Sequence, residues 1–277
     1  MSALLAAQRQ TRILDRLRAA GAVRVADLTS ELGVSEMTVR RDIDQLAAWG
    51  LCRKVHGGAC LNASTSEEPG FAAKSGANLE AKRAIGRAAA ALVRPGQAVG
   101  IGGGTTTYWV AVELARRPDI GQITVVTNSL PAAEALDDAT PEALLATRGA
   151  ARPEAGTAGG QVILTGGVRT PSQALVGPIA DLSLSQLRLD WLFLGVHGLD
   201  PEAGLTTPNL AEAATDRAFM KAARATVVTA DASKWDATAL AQIAPLARIT
   251  HLVTDATPGR EAATAVKRHH IDLTIAT

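Results

Sequence analysis

The amino-terminal part of this chain contains the segment Gly33-Val34-Ser35-Glu36-Met37-Thr38-Val39-Arg40-Arg41-Asp42-Ile43, from which its fold can be predicted. Its first glycine is typical of a turn that ends a helix. Ser35 is a strong N-cap for the next helix, because its side-chain oxygen can accept a free backbone amide. Helical spacing predicts an inward apolar face made of Met37, Val39, Ile43 and Leu46. The remaining face is polar and carries two adjacent arginines.

Two more helices are predicted before this segment. Ile13, Leu14 and Leu17 recur at helical spacing over residues 11–20, and Gly21 follows them. A shorter helix has its apolar residues at Val25, Leu28 and Leu32 and ends at Gly33. Three short helices joined by tight turns predict a tri-helical core with a helix-turn-helix.

The residues after Trp49 predict a β-wing beside this core. Apolar and basic residues alternate from Leu51 to Val55, and Gly57-Gly58 follow. In a helix-turn-helix protein such a wing places Arg53 and Lys54 at the phosphate backbone of DNA. We therefore predict that residues 1–60 bind double-stranded DNA through Ser35, Glu36, Thr38, Arg40, Arg41, Arg53, Lys54, His56 and Gly57. The alternative is a small helical protein-interaction domain with a solvated charged face.

The distribution of charge agrees with DNA contact by the first domain. Residues 1–60 carry nine basic and six acidic residues, a net charge of +3, whereas the remainder carries 19 basic and 21 acidic residues, a net charge of −2. A basic module attached to a slightly acidic one suits a protein that contacts phosphate with one part only.

The remaining residues predict a polar linker over 61–76 and an α/β domain over 77–277. An alanine-rich helix is expected over 78–93. Apolar strands alternate with helical segments, which favours a mostly parallel sheet covered on both faces. The expected strands are 98–101, 123–127, 162–165, 191–194, 226–230, 252–254 and 273–275. Residues 137–160 are rich in Ala, Gly and Pro and predict a flexible insertion.

Glycines and polar residues follow several of these strands, and ligands of open parallel sheets bind at the carboxyl ends of strands. Gly102-Gly103-Gly104-Thr105-Thr106-Thr107 comes directly after the first strand and begins a helix. Such a segment can cradle a phosphate with backbone amides and hydroxyls, or it can be a tight strand–helix turn. It does not match the nucleotide-binding glycine patterns.

Thr38-Val39-Arg40-Arg41-Asp42-Ile43 together with His56-Gly57-Gly58-Ala59 resembles the DNA-binding signature of DeoR-type (GlpR-like) bacterial transcriptional regulators. The later stretches Val125–Leu130, Gly195–Asp200, Gly204–Thr207 and Asp231–Lys234 resemble their sensor domain. The resemblance implies a winged helix followed by a Rossmann-like sheet domain related to ribose-5-phosphate isomerase. It implies a sequence-specific regulator, a repressor of carbohydrate or related metabolism genes, which a phosphorylated sugar or sugar-derived effector releases from DNA.

The resemblance also assigns a candidate effector site. The phosphate is expected at Gly103 to Thr107, the sugar hydroxyls at Asp200 and Glu212, and an additional positive charge at Lys234. The complete set is Gly103, Gly104, Thr105, Thr106, Thr107, Thr127, Asn128, Gly166, Gly167, Gly198, Asp200, Thr206, Glu212 and Lys234.

Two positions depart from the family pattern. Gly102 stands where the family usually has Asp, and Asp216 stands where it commonly has Lys. Two alternatives to an effector-controlled regulator therefore remain. One is a sugar-phosphate isomerase that uses Asp200 or Glu212 as general base. The other is a regulator whose sensor has lost its ligand.

Other features of the sequence limit the remaining functions. No apolar run reaches the length of a membrane span and no secretory signal precedes the first helix, so a cytoplasmic protein is expected. Cys52 and Cys60 are too few for a disulfide framework, although a redox switch beside the wing is conceivable. His269-His270 lacks a third ligand nearby, so we predict no metal site and no cofactor. A homodimer or homotetramer is expected for DNA binding.

Overall fold

A computed structural model describes residues 5–49, 51–55, 57–61, 70–138 and 161–277 of the chain. The chain divides into two compact units, Met1–Glu67 with Ala72–Ala77 and Glu68–Phe71 with Asn78–Thr277. The predicted linker over 61–76 is wrong at both ends. Leu61 is the last residue of a strand, and Phe71–Ser75 form a short helix; residues 62–69 lie outside the described part.

The first unit is a three-helix core with a three-stranded antiparallel sheet. Its elements are α1 (Ala6–Ala20), β1 (Ala22–Arg24), α2 (Val25–Leu32), α3 (Glu36–Ala48), β2 (Cys52–Val55) and β3 (Gly58–Leu61). Strand β3 lies between β1 and β2. The predicted helix-turn-helix and wing are therefore present, although α1 begins five residues earlier than expected.

The core of the first unit contains the apolar residues that helical spacing predicts, with one exception. The side chains of Ile13, Leu17, Leu28, Val39, Ile43 and Leu46 are buried. Met37 was predicted to face inward and is instead 77% exposed. Because an α-helix turns about 100° per residue, Met37 lies about 200° around the helix from Val39, where the inward stripe begins. The prediction failed because two residues about 200° apart on a helix cannot both face the same core.

A buried ion pair joins α1 to α3. Asp42 is 4% exposed, and its Oδ2 and Oδ1 accept hydrogen bonds from Nε and Nη2 of Arg9 at 2.8 and 3.3 Å. The side chain of Gln10 also donates to Asp42 Oδ1, at 3.4 Å. This two-point contact holds α3 in one rotation against α1.

The second unit is a doubly wound α/β domain. Its helices are α4 (Phe71–Ser75, which begins in this unit), α5 (Leu79–Ala90), α6 (Thr105–Ala115), α7 (Leu130–Asp138), α8 (Pro178–Ser185), α9 (Leu210–Ala222) and α10 (Arg260–Arg268). Its strands are β4 (Ala98–Ile101), β5 (Thr124–Thr127), β6 (Val162–Leu164), β7 (Val168–Arg169), β8 (Leu175–Val176), β9 (Leu189–Leu194), β10 (Gly198–Asp200), β11 (Gly204–Thr207), β12 (Ala223–Thr229), β13 (Ala241–Ala244), β14 (His251–Thr254) and β15 (Asp272–Ile275).

Seven of these strands form one parallel sheet in the order β15-β14-β12-β9-β4-β5-β6. They are the seven predicted strands, so the predicted fold class is confirmed. Alternate side chains enter cores on opposite faces: Val227 and Phe193 pack with α5 and α6, whereas Val228 and Leu192 pack with α9 and α10. This arrangement explains why the strands read as continuous apolar runs.

Two smaller sheets were not predicted. Strands β7 and β8 form a hairpin, and β10, β11 and β13 form an antiparallel sheet. Their strands are only two to four residues long, which is too short for an apolar run or an alternation that would mark them.

The predicted insertion over 137–160 starts too early, because Asp137 and Asp138 belong to α7. Residues 139–160 lie outside the described part. No helix in the described ranges is both long and apolar enough to cross a bilayer.

The Arg9–Asp42 pair generates a prediction about stability. Asp42→Ala removes a buried carboxylate that pairs with the little-exposed Arg9 guanidinium, so we expect the first unit to lose about 3 kcal/mol of stability. Asp44→Ala is the matched control, because Asp44 pairs with Lys54 at the surface and such pairs contribute about 0–1 kcal/mol. Native-state hydrogen exchange of α1 to α3 in the full-length protein measures both. Equal losses in the two variants would contradict the role of the buried pair.

Candidate functional sites

The start of α3 is held by the predicted N-cap. Ser35 has extended backbone angles, and its Oγ accepts the backbone amide of Thr38 at 3.3 Å. The hydroxyls of Ser35 and Thr38 lie 3.0 Å apart. Gly33, with φ of 63°, ends α2 in the left-handed conformation that favours glycine. The turn between α2 and α3 is therefore formed by local interactions that can be predicted from the sequence.

The exposed face of α3 carries the two arginines. Arg40 and Glu36 form an ion pair at 3.3 Å, one turn apart. Arg41 is exposed and forms no ion pair with any residue of the described ranges. Met37 lies one turn before Arg41, so the two side chains share the side of the helix opposite its buried stripe. The face that points away from the core thus combines a free guanidinium with an apolar side chain.

The wing lies next to α3 in the same unit. Strands β2 and β3 are joined by a two-residue loop, with Val55 paired to Gly58. Lys54 Nζ lies 2.5 Å from Asp44 Oδ1 of α3, and Arg53 is half-buried. Gly57 is exposed at the loop with φ of 78°, and His56 lies outside the described residues.

Cys52 and Cys60 lie on adjacent strands of the wing and are not joined by a disulfide. Burial, and then the neighbouring Cys60, raise the pKa of the Cys52 thiol. A raised pKa disfavours the thiolate that oxidation requires, so the structure favours a packing role for Cys52 over a redox switch.

In the second unit, the glycine-rich segment forms the turn between β4 and α6. Gly104 has φ of 140°, which side chains rarely adopt. A Cβ atom at Gly103 would lie 2.6 Å from the Cβ of Ala174, so only glycine fits against the β7–β8 hairpin. Thr105, Thr106 and Thr107 are buried in the first turn of α6, and Thr107 Oγ1 donates to the carbonyl of Gly104 at 3.0 Å.

The end of the neighbouring strand β5 supplies a buried polar atom. Thr127 Oγ1 donates to the carbonyl of Ile101 at 2.7 Å, which ties β5 to β4. Asn128 is 1% exposed, and its amide nitrogen donates to the carbonyl of Leu175 at 3.0 Å. Its side-chain Oδ1 has no partner among the described residues and lies beside Gly103. Since buried polar atoms are normally satisfied, this oxygen is suited to accept a hydrogen bond from a bound ligand.

Gly166 and Gly167 follow β6, the next strand of the sheet, and lead into the β7–β8 hairpin. A Cβ atom at Gly167 would lie 2.6 Å from the carbonyl oxygen of Val176. The carboxyl ends of β4, β5 and β6 are therefore adjacent, as predicted, and the hairpin packs against the glycine turn.

Glu212 accepts hydrogen bonds from three hydroxyls. Thr170 and Ser172 of the hairpin region donate at 2.7 and 2.6 Å, and Thr207 donates at 3.3 Å. Sequence reasoning missed Thr170 and Ser172, because they lie in a short loop without a recognisable pattern. Through these two hydroxyls the Glu212 carboxylate contacts the β7–β8 hairpin. The loop of the same hairpin contains Ala174, which packs against Gly103.

Asp216 lies one turn after Glu212 on α9 and is 8% exposed. Burial raises the pKa of Asp216 well above its ordinary value, and the nearby Glu212 carboxylate raises it further, while Arg217 acts in the opposite direction. The folded protein thus favours a proton on Asp216, so two neighbouring carboxylates need not carry two charges.

A second polar cluster surrounds the end of β12. Asp231 is buried and accepts hydrogen bonds from the Ser233 hydroxyl at 2.5 Å and from the Asn78 amide at 3.0 Å. Burial would raise the pKa of Asp231, but Lys234, the Ser233 hydrogen bond and Lys82 outweigh it, so this pKa is lowered. Lys82, 3% exposed on α5, and Asn78 were not predicted, because a helix position of an alanine-rich segment gives no sign of a distant partner.

Three predicted effector residues belong to a small sheet that was not predicted. Gly198, Asp200 and Thr206 lie within β10 and β11 of the small antiparallel sheet, and β10 begins four residues after the end of β9. Asp200 Oδ1 accepts the amides of residues 202 and 203 at 2.8 and 2.7 Å, and Thr206 Oγ1 accepts the amide of residue 239 at 3.0 Å. These contacts are made within the chain itself, and the effector-binding role of the three residues stays a prediction.

A cleft of about 630 Å³ lies at the opposite, amino-terminal edge of the parallel sheet. Its lining includes Arg94, Asp190, Trp191 and Arg224 and none of the predicted effector residues. No group of three His, Cys, Asp or Glu side chains in the described part of the chain is arranged to hold a metal ion.

Comparison with known proteins identifies both units. Residues 9–65 match the DeoR-like helix-turn-helix domain, and residues 77–162 and 155–256 match the DeoR C terminal sensor domain. The chain is 33% identical to a putative aga operon transcriptional repressor of Escherichia coli O157:H7, over 90% of this chain and 86% of that protein. It is 36% identical to the HTH-type transcriptional regulator GlpR of Haloferax volcanii, over 92% and 91%.

A winged helix-turn-helix joined to a sensor domain defines a DNA-binding transcriptional regulator rather than an enzyme. The chain belongs to the DeoR family. Among solved structures, ribose 5-phosphate isomerase A of Methanocaldococcus jannaschii aligns with a TM-score of 0.39 and 16% identity, over 57% of this chain and 55% of that chain.

The raised pKa of Asp216 generates a prediction about pH. Below about pH 4, the ordinary pKa of aspartate, both folded and unfolded chains hold the proton. As the pH rises above that value, the unfolded chain releases the proton first, so the free energy of unfolding falls until the pH passes the folded-state pKa. Asp216→Asn removes this decline. Urea denaturation between about pH 4 and pH 8 should therefore show that the free energy of unfolding of the variant increases relative to that of the wild type as the pH rises.

Glu261→Gln, on the exposed side of α10, is the control for loss of a carboxylate and should follow the wild-type profile. A constant difference between Asp216→Asn and the wild type across this pH range would show that Asp216 ionises normally.

Proposed function

We propose that this chain is a transcriptional repressor of carbohydrate or related metabolism genes, and that a phosphorylated sugar or sugar-derived effector releases it from its operator. The observation that carries the DNA-binding part is the exposed face of α3, on which Arg41 has no intramolecular ion pair in the described structure. Relatives named as regulators of sugar or glycerol-phosphate genes support the metabolic role, among them the glycerol-3-phosphate regulon repressor of Escherichia coli, 28% identical over 96% of this chain.

In the proposed complex, helix α3 contacts bases, and the start of α3 and the wing contact phosphates. Helix α3 enters the major groove, where Arg41 donates two hydrogen bonds to a guanine and Arg40, with its Glu36 partner, lies toward one flank. Ser35 and Thr38 at the helix start, together with Arg53, Lys54, His56 and Gly57 of the wing, contact phosphates. A homodimer or homotetramer presents two such surfaces to two half-sites.

The proposed effector site lies at the carboxyl ends of β4, β5 and β6. The effector phosphate binds the Gly103–Thr107 turn, where the first amides of α6 have no partners within the helix. Sugar hydroxyls donate to Asn128 Oδ1 and to Glu212, and Lys234 supplies positive charge beside Asp231. The effector releases DNA only if it binds the DNA-free arrangement more tightly than the DNA-bound one.

DNA binding is tested with operators obtained by in vitro selection on the full-length protein. We expect Arg41→Ala to lose about 1–3 kcal/mol of affinity for the selected site, as bidentate guanine contacts generally do. Fluorescence anisotropy of labelled operator measures the loss. Arg116→Ala, an exposed arginine on α6, is the matched control and should bind as the wild type does. Affinity should also fall steeply with salt, because phosphate contacts release counterions.

Effector binding is tested by a thermal-shift series with phosphorylated sugars, their unphosphorylated parents and inorganic phosphate. A ligand at one hundred times its dissociation constant adds about 2.7 kcal/mol of stability and so raises the melting temperature. Thr105→Val removes one hydroxyl from the phosphate turn and should weaken binding about tenfold. Thr264→Val, on the surface of α10, should not. If no phosphorylated sugar shifts the wild type, the sensor has lost the ligand class that we propose.

A further inference from the structure

Met37 is the most exposed large apolar side chain in the described part of the chain, at 77%. The other large apolar residues of α3, Val39, Ile43 and Leu46, are at most 2% exposed. The fold of the first unit therefore does not use Met37, although this residue lies between the N-cap and the first inward position of the helix.

The position of Met37 on the helix is defined by the buried stripe. Residues 39, 42, 43 and 46 face the core, and the Arg9–Asp42 pair holds α3 in that rotation. The opposite side of the helix is centred on Met37 and Arg41, four residues apart. Glu36 and Arg40 are displaced toward one flank, where they pair with each other. If the outward side of α3 entered a groove of DNA, Met37 and Arg41 would be the residues that reach farthest into it.

We propose that Met37 is a specificity-determining residue that reads a thymine, by packing its side chain against the C5-methyl group of that base. The proposal rests on the proposed function, in which α3 lies in the major groove. Thymine is the only base that presents a methyl group there. The methionine side chain is unbranched and polarizable, so it adapts to such a surface, and it offers no hydrogen-bond donor to the other bases.

The spacing of the two outward residues predicts where the thymine lies. Four residues of α-helix rise about 6 Å, and base pairs are stacked about 3.4 Å apart. Met37 therefore contacts a base within about two base pairs of the one that Arg41 reads. Each half-site should contain a thymine, on either strand, at that separation from the guanine.

The experiment uses the full-length protein and its selected operator. Each thymine of a half-site is replaced in turn by deoxyuridine, which removes only the methyl group. One replacement should lower wild-type affinity about threefold to tenfold, the effect of removing about one buried methyl contact. The same replacement should leave Met37→Ala unaffected, because that variant has already lost the contact. Met37→Leu should keep part of the sensitivity.

Two controls separate this result from loss of structure or of apolar surface. Met37→Ala should keep the wild-type melting temperature, because the removed side chain is exposed. Ile179→Ala removes a 64% exposed apolar side chain from the second unit and should retain full sensitivity to deoxyuridine. If no thymine position distinguishes wild type from Met37→Ala on a selected operator, Met37 does not read a methyl group. If the wild type selects no operator at all, the proposed function itself fails.

Discussion

The rotation of α3 about its own axis is the constraint on which the DNA-binding surface depends. Val39, Ile43 and Leu46 bury one stripe of the helix, but apolar contacts alone are not directional. The Arg9–Asp42 pair adds two hydrogen bonds of defined geometry at the edge of that stripe. A rotation by one residue, about 100°, would break the ion pair and carry a charged residue into the core. The outward direction of Arg41 and Met37 is a consequence of this packing.

The second unit depends on the parallel arrangement of its strands. Because β4, β5 and β6 are neighbours and run in the same direction, the glycine turn, Asn128 and Gly166 share one edge. The β7–β8 hairpin then closes on this edge, and Ala174 packs so tightly against Gly103 that no side chain fits there. The same hairpin places two hydroxyls at Glu212, so one short element links the glycine turn to α9.

Two buried carboxylates of the second unit, Asp231 and Asp216, have their charges offset inside the protein. Lys82 and Lys234 lie beside Asp231, and the protein favours a protonated Asp216 beside Glu212. An anionic ligand would therefore meet backbone amides and hydroxyls rather than an excess of free cations. This distribution suits a ligand whose phosphate is held by a helix start and whose hydroxyls find Asn128 and Glu212.

Features that depend on local sequence were predictable. Ser35 and Gly33 mark the helix-turn-helix because capping and left-handed turns need only neighbouring residues, and the seven parallel strands are visible because burial on both faces makes them continuously apolar. The contacts between side chains that are distant in the sequence were determined by tertiary packing and could not be predicted. The sequence gives no sign that Asp42 contacts Arg9, that Asn78 contacts Asp231, or that Thr170 and Ser172 contact Glu212. These pairs are separated by 33 to 153 residues, and Thr170 and Ser172 lie in a loop without a recognisable pattern. The exposure of Met37 is also a result of long-range packing. Its apolar character suggests burial, but the packing of α3 against its neighbours places its side chain on the exposed side of the helix.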